Sequence, residues 1–457
     1  MILKAVFKHI PRFAVVFVLF ISAFIRPMDS VAKELSLIRD VEIENTIRSY
    51  SAPLFRAAGL DPSAVNIYLI KDNTLNAFVA GGQKLFINTG LLMKSKHAGE
   101  VIGVIAHETG HIAGGHLSRL HNAMKDTSAQ SILALVLGGA AAAVSGRADV
   151  GSVVAMGGQG VGQRDFLKYS RTQESSADQA ALRLLDATNQ SPRGLGEFMG
   201  TLSGQELLSD KRQDPYLLTH PLTEDRLKAL QDGIAKSPNI DKPIDPLFEE
   251  MHRRMLAKLQ GFLDPLATTL RRYKESDDSL ESRYARAVAY YRVPDLDKAL
   301  PLVDGLIAER PDDPYFYELK GQMLFENGRI AEALEPYEKS VRLMPRSAIL
   351  RVGLARAQME SNDPALLDPA IINLRAAVQQ EQDDSFTWRQ LAIAHGRKGE
   401  MGPSSLAMAE EALLTGRNAD AVFHAGRAET LLPRGSIGWL QAQDILAETK
   451  KNEKPNK

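Results

Sequence analysis

The sequence His107-Glu108-Thr109-Gly110-His111 has the residue types and the spacing of a zinc-binding helix. Side chains four residues apart lie on the same face of an α-helix, so His107 and His111 can bind one ion together. Glu108 would lie beside the open side of the metal, where a zinc-bound water loses its proton near neutral pH. A carboxylate there can accept this proton while the water attacks a carbonyl, and the pattern therefore indicates metalloprotease chemistry.

The residues before this motif predict how its helix is placed. Residues 101–106 are apolar, which favours a helix buried in the core, as an active-site helix must be. The alternative is a surface helix that carries two solvated histidines.

His116 follows the motif but is not predicted to be the third ligand. In metalloproteases with three histidines the pattern is HExxHxxGxxH; Gly114 stands at its glycine position, but Leu117 stands at its last histidine position. His116 is one residue away and is expected to point elsewhere, as a structural or solvated histidine. The third ligand must then come from another part of the chain.

Residues 170–185 contain the best candidate, at the start of a predicted second amphipathic helix. Glu174 could complete a site of two histidines and one glutamate, leaving the fourth position to water. Asp178, four residues on, could hold a ligand histidine by its other ring nitrogen. Acidic residues are also common near helix starts because of the helix dipole alone, and this remains the alternative.

The HETGH sequence together with ESSAD at 174–178 resembles the family of zinc metallopeptidases that includes HtpX and the CAAX-prenyl proteases. The resemblance extends over nearly the whole chain after residue 32. It implies one zinc ion per chain, held by His107, His111 and Glu174, with Glu108 as the general base and Asp178 supporting a ligand histidine.

A further segment, THPLTEDR at 219–226, matches periplasmic members of this family. In them a His-Pro segment lies near the metal. The resemblance implies that His220 occupies the fourth coordination position in a latent state, or supports the oxyanion once displaced. Arg226 is a candidate for positioning His220 or the substrate. The alternative interpretation is a turn and a helix start with a surface histidine.

Composition excludes several classes of function. The 457 residues contain 55 basic and 56 acidic side chains without a long block of one sign, so no nucleic-acid partner is expected. The chain has no cysteine, which excludes disulfides, thiolate metal sites and a lipoprotein anchor. Export to an oxidising compartment remains compatible with this composition.

Residues 1–32 are predicted to be a secretory signal peptide. An apolar stretch at 13–25 follows a basic segment, and small residues at 30–32 suit a signal peptidase. The apolar stretch is short for a transmembrane helix, although an uncleaved anchor is the alternative because the cleavage region is irregular. A periplasmic location in a bacterium follows from this interpretation.

A small antiparallel sheet is predicted before the HETGH helix, after a first helix at 33–47. Its strands are expected within 65–70, 76–82 and 84–89, with a hairpin that turns on Gly81-Gly82. An edge strand could pair with an extended substrate, although a purely structural hairpin is equally consistent with the pattern. The Ala- and Gly-rich insert at 128–163 is expected to form a helical hairpin over the site; a hinged lid or a membrane-touching loop is the alternative.

The chain after the proline-containing linker at 237–246 is predicted to be all helical and repetitive. Ala299 and Ala333 are 34 residues apart, as are Pro311 and Pro345, and this period resembles tetratricopeptide repeats. Residues 346–382 form a looser copy with extra residues at 362–364, and the repeat register of 385–415 is open. A capping helix is expected at 440–448 and a polar tail at 450–457.

These observations predict a two-domain α+β protein: a mainly helical, gluzincin-type metalloprotease domain with a small β-sheet at 33–245, then an all-α tetratricopeptide-repeat solenoid at 247–449. The predicted function is a periplasmic zinc endopeptidase whose repeats dock clients or partners. The resemblance implies unfolded or misassembled envelope proteins as substrates, the outer-membrane assembly machinery as partner, and at most peripheral membrane contact. The alternative is a chaperone or repeat scaffold with a latent or residual metal site.

Overall fold

The computed structural model describes residues 36–116, 161–203, 216–217 and 220–452. The predicted signal peptide and almost all of the predicted insert at 128–163 lie outside these residues. Elements are numbered here in chain order within the described part of the chain.

A four-stranded sheet lies near the start of the described chain, with strand order β1-β2-β4-β3. Its strands are β1 (Leu37–Ile38), β2 (Asn66–Ile70), β3 (Ala77–Ala80) and β4 (Lys84–Asn88). The predicted β3–β4 hairpin is confirmed, and its turn glycines Gly81 and Gly82 have φ of +54° and +90°. The prediction of an antiparallel sheet was wrong, because β4 inserts beside β2 and pairs with it in parallel.

Helix α1 (Val41–Ala57) begins later than the predicted helix at 33–47 and is longer. Two local interactions explain the difference. Leu37 and Ile38 pair with β2 as a short strand, and the Asp40 carboxylate accepts a hydrogen bond from the Ile43 amide at 2.9 Å, which caps the helix.

The remaining helices before the repeats are α2 (Thr89–Lys94), α3 (Ala98–Ala113), α4 (Val161–Ala187), α5 (Arg193–Leu202), α6 (Glu224–Ala235) and α7 (Pro246–Leu263). Helix α3 carries the HETGH motif and is buried along residues 98–111, so the alternative of a solvated surface helix was wrong. It packs directly against α5: a Cβ at Gly103 would lie 2.7 Å from the backbone of Leu195. This backbone contact fixes α3 in the core.

Helix α4 starts nine residues before the predicted start at 170. Glu174 and Asp178 therefore lie inside the helix and not in its first turn, so the helix-dipole explanation for their presence does not apply. They are buried on one face of α4, four residues apart, as the spacing predicted.

The repeats consist of packed helices joined by short turns. Their helices are α8 (Leu266–Arg272), α9 (Leu280–Arg292), α10 (Leu296–Glu309), α11 (Pro314–Glu326), α12 (Ile330–Leu343), α13 (Ala348–Glu360), α14 (Leu367–Gln380), α15 (Ser385–Arg397), α16 (Met401–Leu414), α17 (Asn418–Leu431) and α18 (Ile437–Asn452). The extra residues of the looser copy form a turn at Asn362, with φ of +57°, and a 3₁₀ helix at Pro364–Leu366. The expected capping helix exists but is longer than predicted at both ends.

Helix α7 joins the two parts of the chain. Met255 and Leu259 belong to the same buried cluster as the sheet and α3, whereas Ala257 belongs to the cluster of the first repeats. The helix that follows the predicted linker thus contributes one face to each core. Among the described residues, no helix combines the length and the apolar composition that crossing a membrane requires.

Candidate metal centre

Three predicted ligands converge at the buried centre of the first part of the chain. The Nε2 atoms of His107 and His111 are 3.1 Å apart. The Glu174 carboxylate places Oε2 3.4 Å from His107 Nε2 and Oε1 3.3 Å from His111 Nε2. Ligands at about 2.0–2.1 Å from a tetrahedral zinc are about 3.3 Å apart, so all three distances fit one shared ion.

Glu108 lies beside these ligands and is fully buried. Within the described part of the chain, neither of its carboxylate oxygens has a hydrogen-bond partner. Burial raises the pKa of Glu108 above its ordinary value, although the charges of His220 and His107 act in the opposite direction. A carboxylate with a raised pKa and free lone pairs is suited to accept a proton near neutral pH.

Asp178 supports His107 from the side away from the ligand atoms. Its Oδ1 lies 2.9 Å from His107 Nδ1. Burial alone would lower the pKa of His107, but Asp178 and Glu174 outweigh it and raise that pKa to about 9. Zinc must displace this proton on binding. Burial lowers the pKa of His111 to about 3, so that imidazole is already in the neutral, metal-binding form.

Arg226 connects the acidic residues of the site. Its guanidinium donates to both oxygens of Asp178, at 2.6 and 2.9 Å, and lies 2.9 Å from Glu174 Oε2. Against the effect of burial, the hydrogen bonds from Arg226 and His107 hold the pKa of Asp178 at about 2. Despite burial, the charge of His220 contributes first to the lowered pKa of Glu174, and Arg226 contributes less. Arg226 therefore helps to keep both carboxylates ionised in a buried site, a stronger role than the sequence indicated.

His220 lies across the open side of the ligand cluster. Its Nδ1 is 3.2 Å from both oxygens of Glu174, and its Nε2 is 3.4 Å from Glu108 Oε1. The ring packs at a tilt of 33° against the fully buried ring of Tyr216, with centroids 4.5 Å apart, and the His220 amide donates to the Tyr216 carbonyl at 2.7 Å. The interpretation of His220 as a surface histidine was therefore wrong.

His116 is the site residue that sequence reasoning missed. It is 4% exposed, and its Nδ1 lies 2.9 Å from Nδ1 of His111. His116 is thus a buried structural histidine outside the ligand cluster, as one of the two predicted alternatives required, and the alternative of a solvated histidine was wrong. Gly114 and Gly115 turn the chain back toward α3, which brings the His116 ring to His111. This glycine pair was the signal in the sequence that could have indicated the return.

A second cluster of potential ligands, His97, Glu100 and Glu197, lies at the start of α3 and α5. His97 Nε2 is only 2.6 Å from Glu197 Oε2. That distance is a hydrogen bond rather than the spacing of two ligands on one ion. The cluster therefore does not resemble the centre at His107.

Gly110, inside the motif, allows the two ligand-bearing helices to approach. A Cβ at this position would lie 2.9 Å from the carbonyl oxygen of Ala177 on α4. Gly110→Ala is expected to separate His111 from Glu174 and to weaken zinc affinity about tenfold or more, the effect of a lost ligand support. The measurement is zinc competition against a chromogenic chelator.

Gly200→Ala is the matched control for this prediction. Gly200 also lies in a helix, but a Cβ there would meet no atom of the described residues within 4 Å. The control is expected to leave zinc affinity unchanged and to stabilise α5 by up to about 1 kcal/mol. Equal zinc affinities for the two variants would mean that the close approach at Gly110 is not needed.

Comparison with known proteins is consistent with this geometry. Residues 41–234, which include the whole ligand cluster, match the model of peptidase family M48, and residues 284–348 match a tetratricopeptide-repeat model. The putative beta-barrel assembly-enhancing protease of Vibrio cholerae is 24% identical over 409 residues, covering 88% of this chain and 82% of that protein.

Two relatives from Escherichia coli strain K12 match to different extents. Its beta-barrel assembly-enhancing protease is 23% identical over 419 residues, with the same coverage of 88% and 82%. Its metalloprotease LoiP is 29% identical over 174 residues, covering 38% of this chain and 64% of that protein. The longer matches include the repeats as well as the site, and the chain thus combines a metallopeptidase domain of family M48 with tetratricopeptide repeats.

Proposed function

We propose that this protein is a zinc-dependent endopeptidase of the bacterial periplasm that acts in the assembly or quality control of outer-membrane proteins. The proposal rests on one observation: three side chains place their ligand atoms at the spacing expected around a single ion, next to a buried carboxylate that has no hydrogen-bond partner among the described residues. The proposed role in outer-membrane protein assembly is supported by the relatives, which are named beta-barrel assembly-enhancing proteases.

Each residue of the site would have a separate role in peptide hydrolysis. Bound zinc would supply Lewis acidity toward the scissile carbonyl and toward water. His107, His111 and Glu174 would hold the ion, and Glu108 would take the proton of the attacking water and pass it to the leaving amine. Asp178 would keep His107 in the orientation that ligation requires, and Arg226 would help to keep Asp178 and Glu174 ionised.

The substrate would bind along strand β3. This strand is at the edge of the sheet and contacts α3, the helix of the metal ligands. An extended peptide could add to this edge through main-chain hydrogen bonds, which would carry a scissile bond toward Glu108. Main-chain recognition suits unfolded or misassembled envelope proteins, because their backbones are accessible.

His220 would act as a latch. Its ring fills the space between Glu174 and Glu108, where a substrate carbonyl must approach. His220→Ala is therefore expected to cleave casein several-fold faster than the wild type, with zinc retained by the three other ligands. Slower cleavage with unchanged zinc content would instead assign His220 to oxyanion support.

The repeats and the first 32 residues complete the proposal. The division into a peptidase domain at 33–245 and repeats at 247–449 stays a prediction, with α7 contributing to both cores. The signal peptide would direct export, and the repeat surface would bind clients or the outer-membrane assembly machinery. The second candidate, a chaperone or scaffold with a residual metal site, is favoured by the extent of the repeats.

Metal removal tests the proposed function directly. The purified mature protein is expected to contain about one zinc per chain and to cleave an unfolded protein such as casein. Dialysis against 1,10-phenanthroline should abolish cleavage, and added Zn²⁺ should restore it. A protein that binds no zinc, or that cleaves equally well without it, would leave the scaffold function as the better account.

A further inference from the structure

His116 makes a specific contact with one predicted metal ligand. Its Nδ1 is 2.9 Å from Nδ1 of His111, and the two rings meet edge to face with centroids 4.9 Å apart. Both side chains are buried. The contact involves the nitrogen of His111 that faces away from the other ligand atoms.

The chemistry of ligation fixes the direction of this hydrogen bond. His111 presents Nε2 to His107 and Glu174, so a shared ion must be bound through Nε2. A neutral imidazole that ligates through Nε2 carries its proton on Nδ1 and donates from there. His116 must therefore accept through Nδ1 and carry its own proton on Nε2.

The backbone conformation at Gly114 and Gly115 brings the ring of His116 to His111. Gly115 has φ of +58°, a left-handed conformation that reverses the chain at the end of α3. A Cβ at Gly114 would lie 2.5 Å from Nε2 of His116 and 2.8 Å from the Gly110 carbonyl. The His116 carbonyl accepts a hydrogen bond of 3.4 Å from Gln173, the neighbour of Glu174 on α4.

We propose that His116 is a positioning residue of the metal centre, which orients the ring of His111 and fixes its tautomer. The inference rests on the proposed zinc site. His116 is to His111 what Asp178 is to His107, with one difference: the acceptor is a neutral imidazole rather than a carboxylate. The two ligand histidines are thus supported by acceptors of unequal strength.

Two substitutions separate this role from simple packing. His116→Leu replaces the imidazole by an apolar side chain of similar length, which can still pack but cannot accept a hydrogen bond. This variant is expected to weaken zinc affinity about 10–100-fold. His116→Asn places an amide oxygen near the position of Nδ1 and is expected to restore most of that affinity. The measurements are chelator competition for zinc and the visible spectrum of the Co²⁺-substituted protein, which should change for leucine more than for asparagine.

His395→Leu is the matched control, because His395 is also a buried histidine but lies in the repeats, where it contacts Glu400 at 2.6 Å. It should leave zinc affinity and the Co²⁺ spectrum unchanged. If His116→Leu lowers the unfolding temperature of the zinc-free protein but binds zinc like the wild type, the positioning role is wrong and His116 only packs. If the wild type itself binds no zinc, the proposed metalloprotease function fails together with this inference.

Discussion

Glu108→Gln is expected to lower kcat/KM for cleavage of an unfolded protein by about 10²–10⁴-fold, the usual contribution of a general base. Zinc content should stay at about one per chain, because Glu108 is not among the three side chains that are spaced as ligands. The amide is close in size to the carboxylate and fits the same buried position, but it cannot accept the proton of the attacking water. Cleavage and zinc content are measured on the same preparation.

Glu100→Gln is the control for this substitution. Glu100 is a second buried glutamate on α3, and its Oε2 accepts a hydrogen bond of 2.8 Å from the Lys96 amide at the start of the helix. It is remote from His107, so its loss should leave cleavage nearly unchanged. Undiminished cleavage by Glu108→Gln would show that another group accepts the proton, and the proposed mechanism would be wrong.

The parts of the site that could be predicted from the sequence are those that depend on helix periodicity. His107 and His111, like Glu174 and Asp178, are four residues apart, and one turn of a helix places each pair on one face. Helix periodicity cannot show that the two helices contact each other. The prediction that Glu174 joins His107 and His111 came from the family resemblance. The contact itself depends on Gly110, whose missing side chain lets α3 approach Ala177.

Other features could not be predicted because they depend on packing between distant segments. The insertion of β4 beside β2 follows from the path of the chain across the sheet, which strand propensity does not encode. The two hydrogen bonds from Arg226 to Asp178 depend on how α6 packs against α4. The contact of His116 with His111 could not be predicted because it depends on the left-handed conformation of Gly115, which reverses the chain after the helix.

The junction between the two parts of the chain contains a buried lysine that periodicity also could not reveal. Lys258 on α7 is 1% exposed, and its Nζ lies 2.8 Å from Asp40, 3.6 Å from Glu42 and 3.8 Å from Glu318. Asp40 and Glu42 lie at the start of α1, and Glu318 lies on repeat helix α11. One ammonium group thus neutralises carboxylates from both sides of the junction.

Lys258→Met is therefore expected to lower the free energy of unfolding by about 3 kcal/mol at pH 8, because it removes the buried cation that pairs with the partly buried carboxylates of Asp40 and Glu318, whereas Glu42 keeps Arg254 at 2.8 Å. Urea titration measures the change. Lys298→Met is the control: Lys298 is paired with Asp295 at 2.9 Å, but it is exposed, and its loss should cost less than about 1 kcal/mol.

At lower pH, Lys258→Met should reduce the free energy of unfolding by less than it does at pH 8. This pH dependence distinguishes the loss of a charge interaction from a loss of packing. Burial raises the pKa of Glu318 to about 7 in the folded protein, from 4.5, and removing the lysine raises it further. The folded state then binds a proton that the unfolded state does not hold, so the stability of the variant rises as the pH falls from 8 toward 5. If the difference in free energy of unfolding between wild type and variant is the same at pH 8 and pH 5, the loss is due to packing alone. A difference that shrinks toward pH 5 would identify the charge on Lys258 as the link between α1, α7 and the repeats.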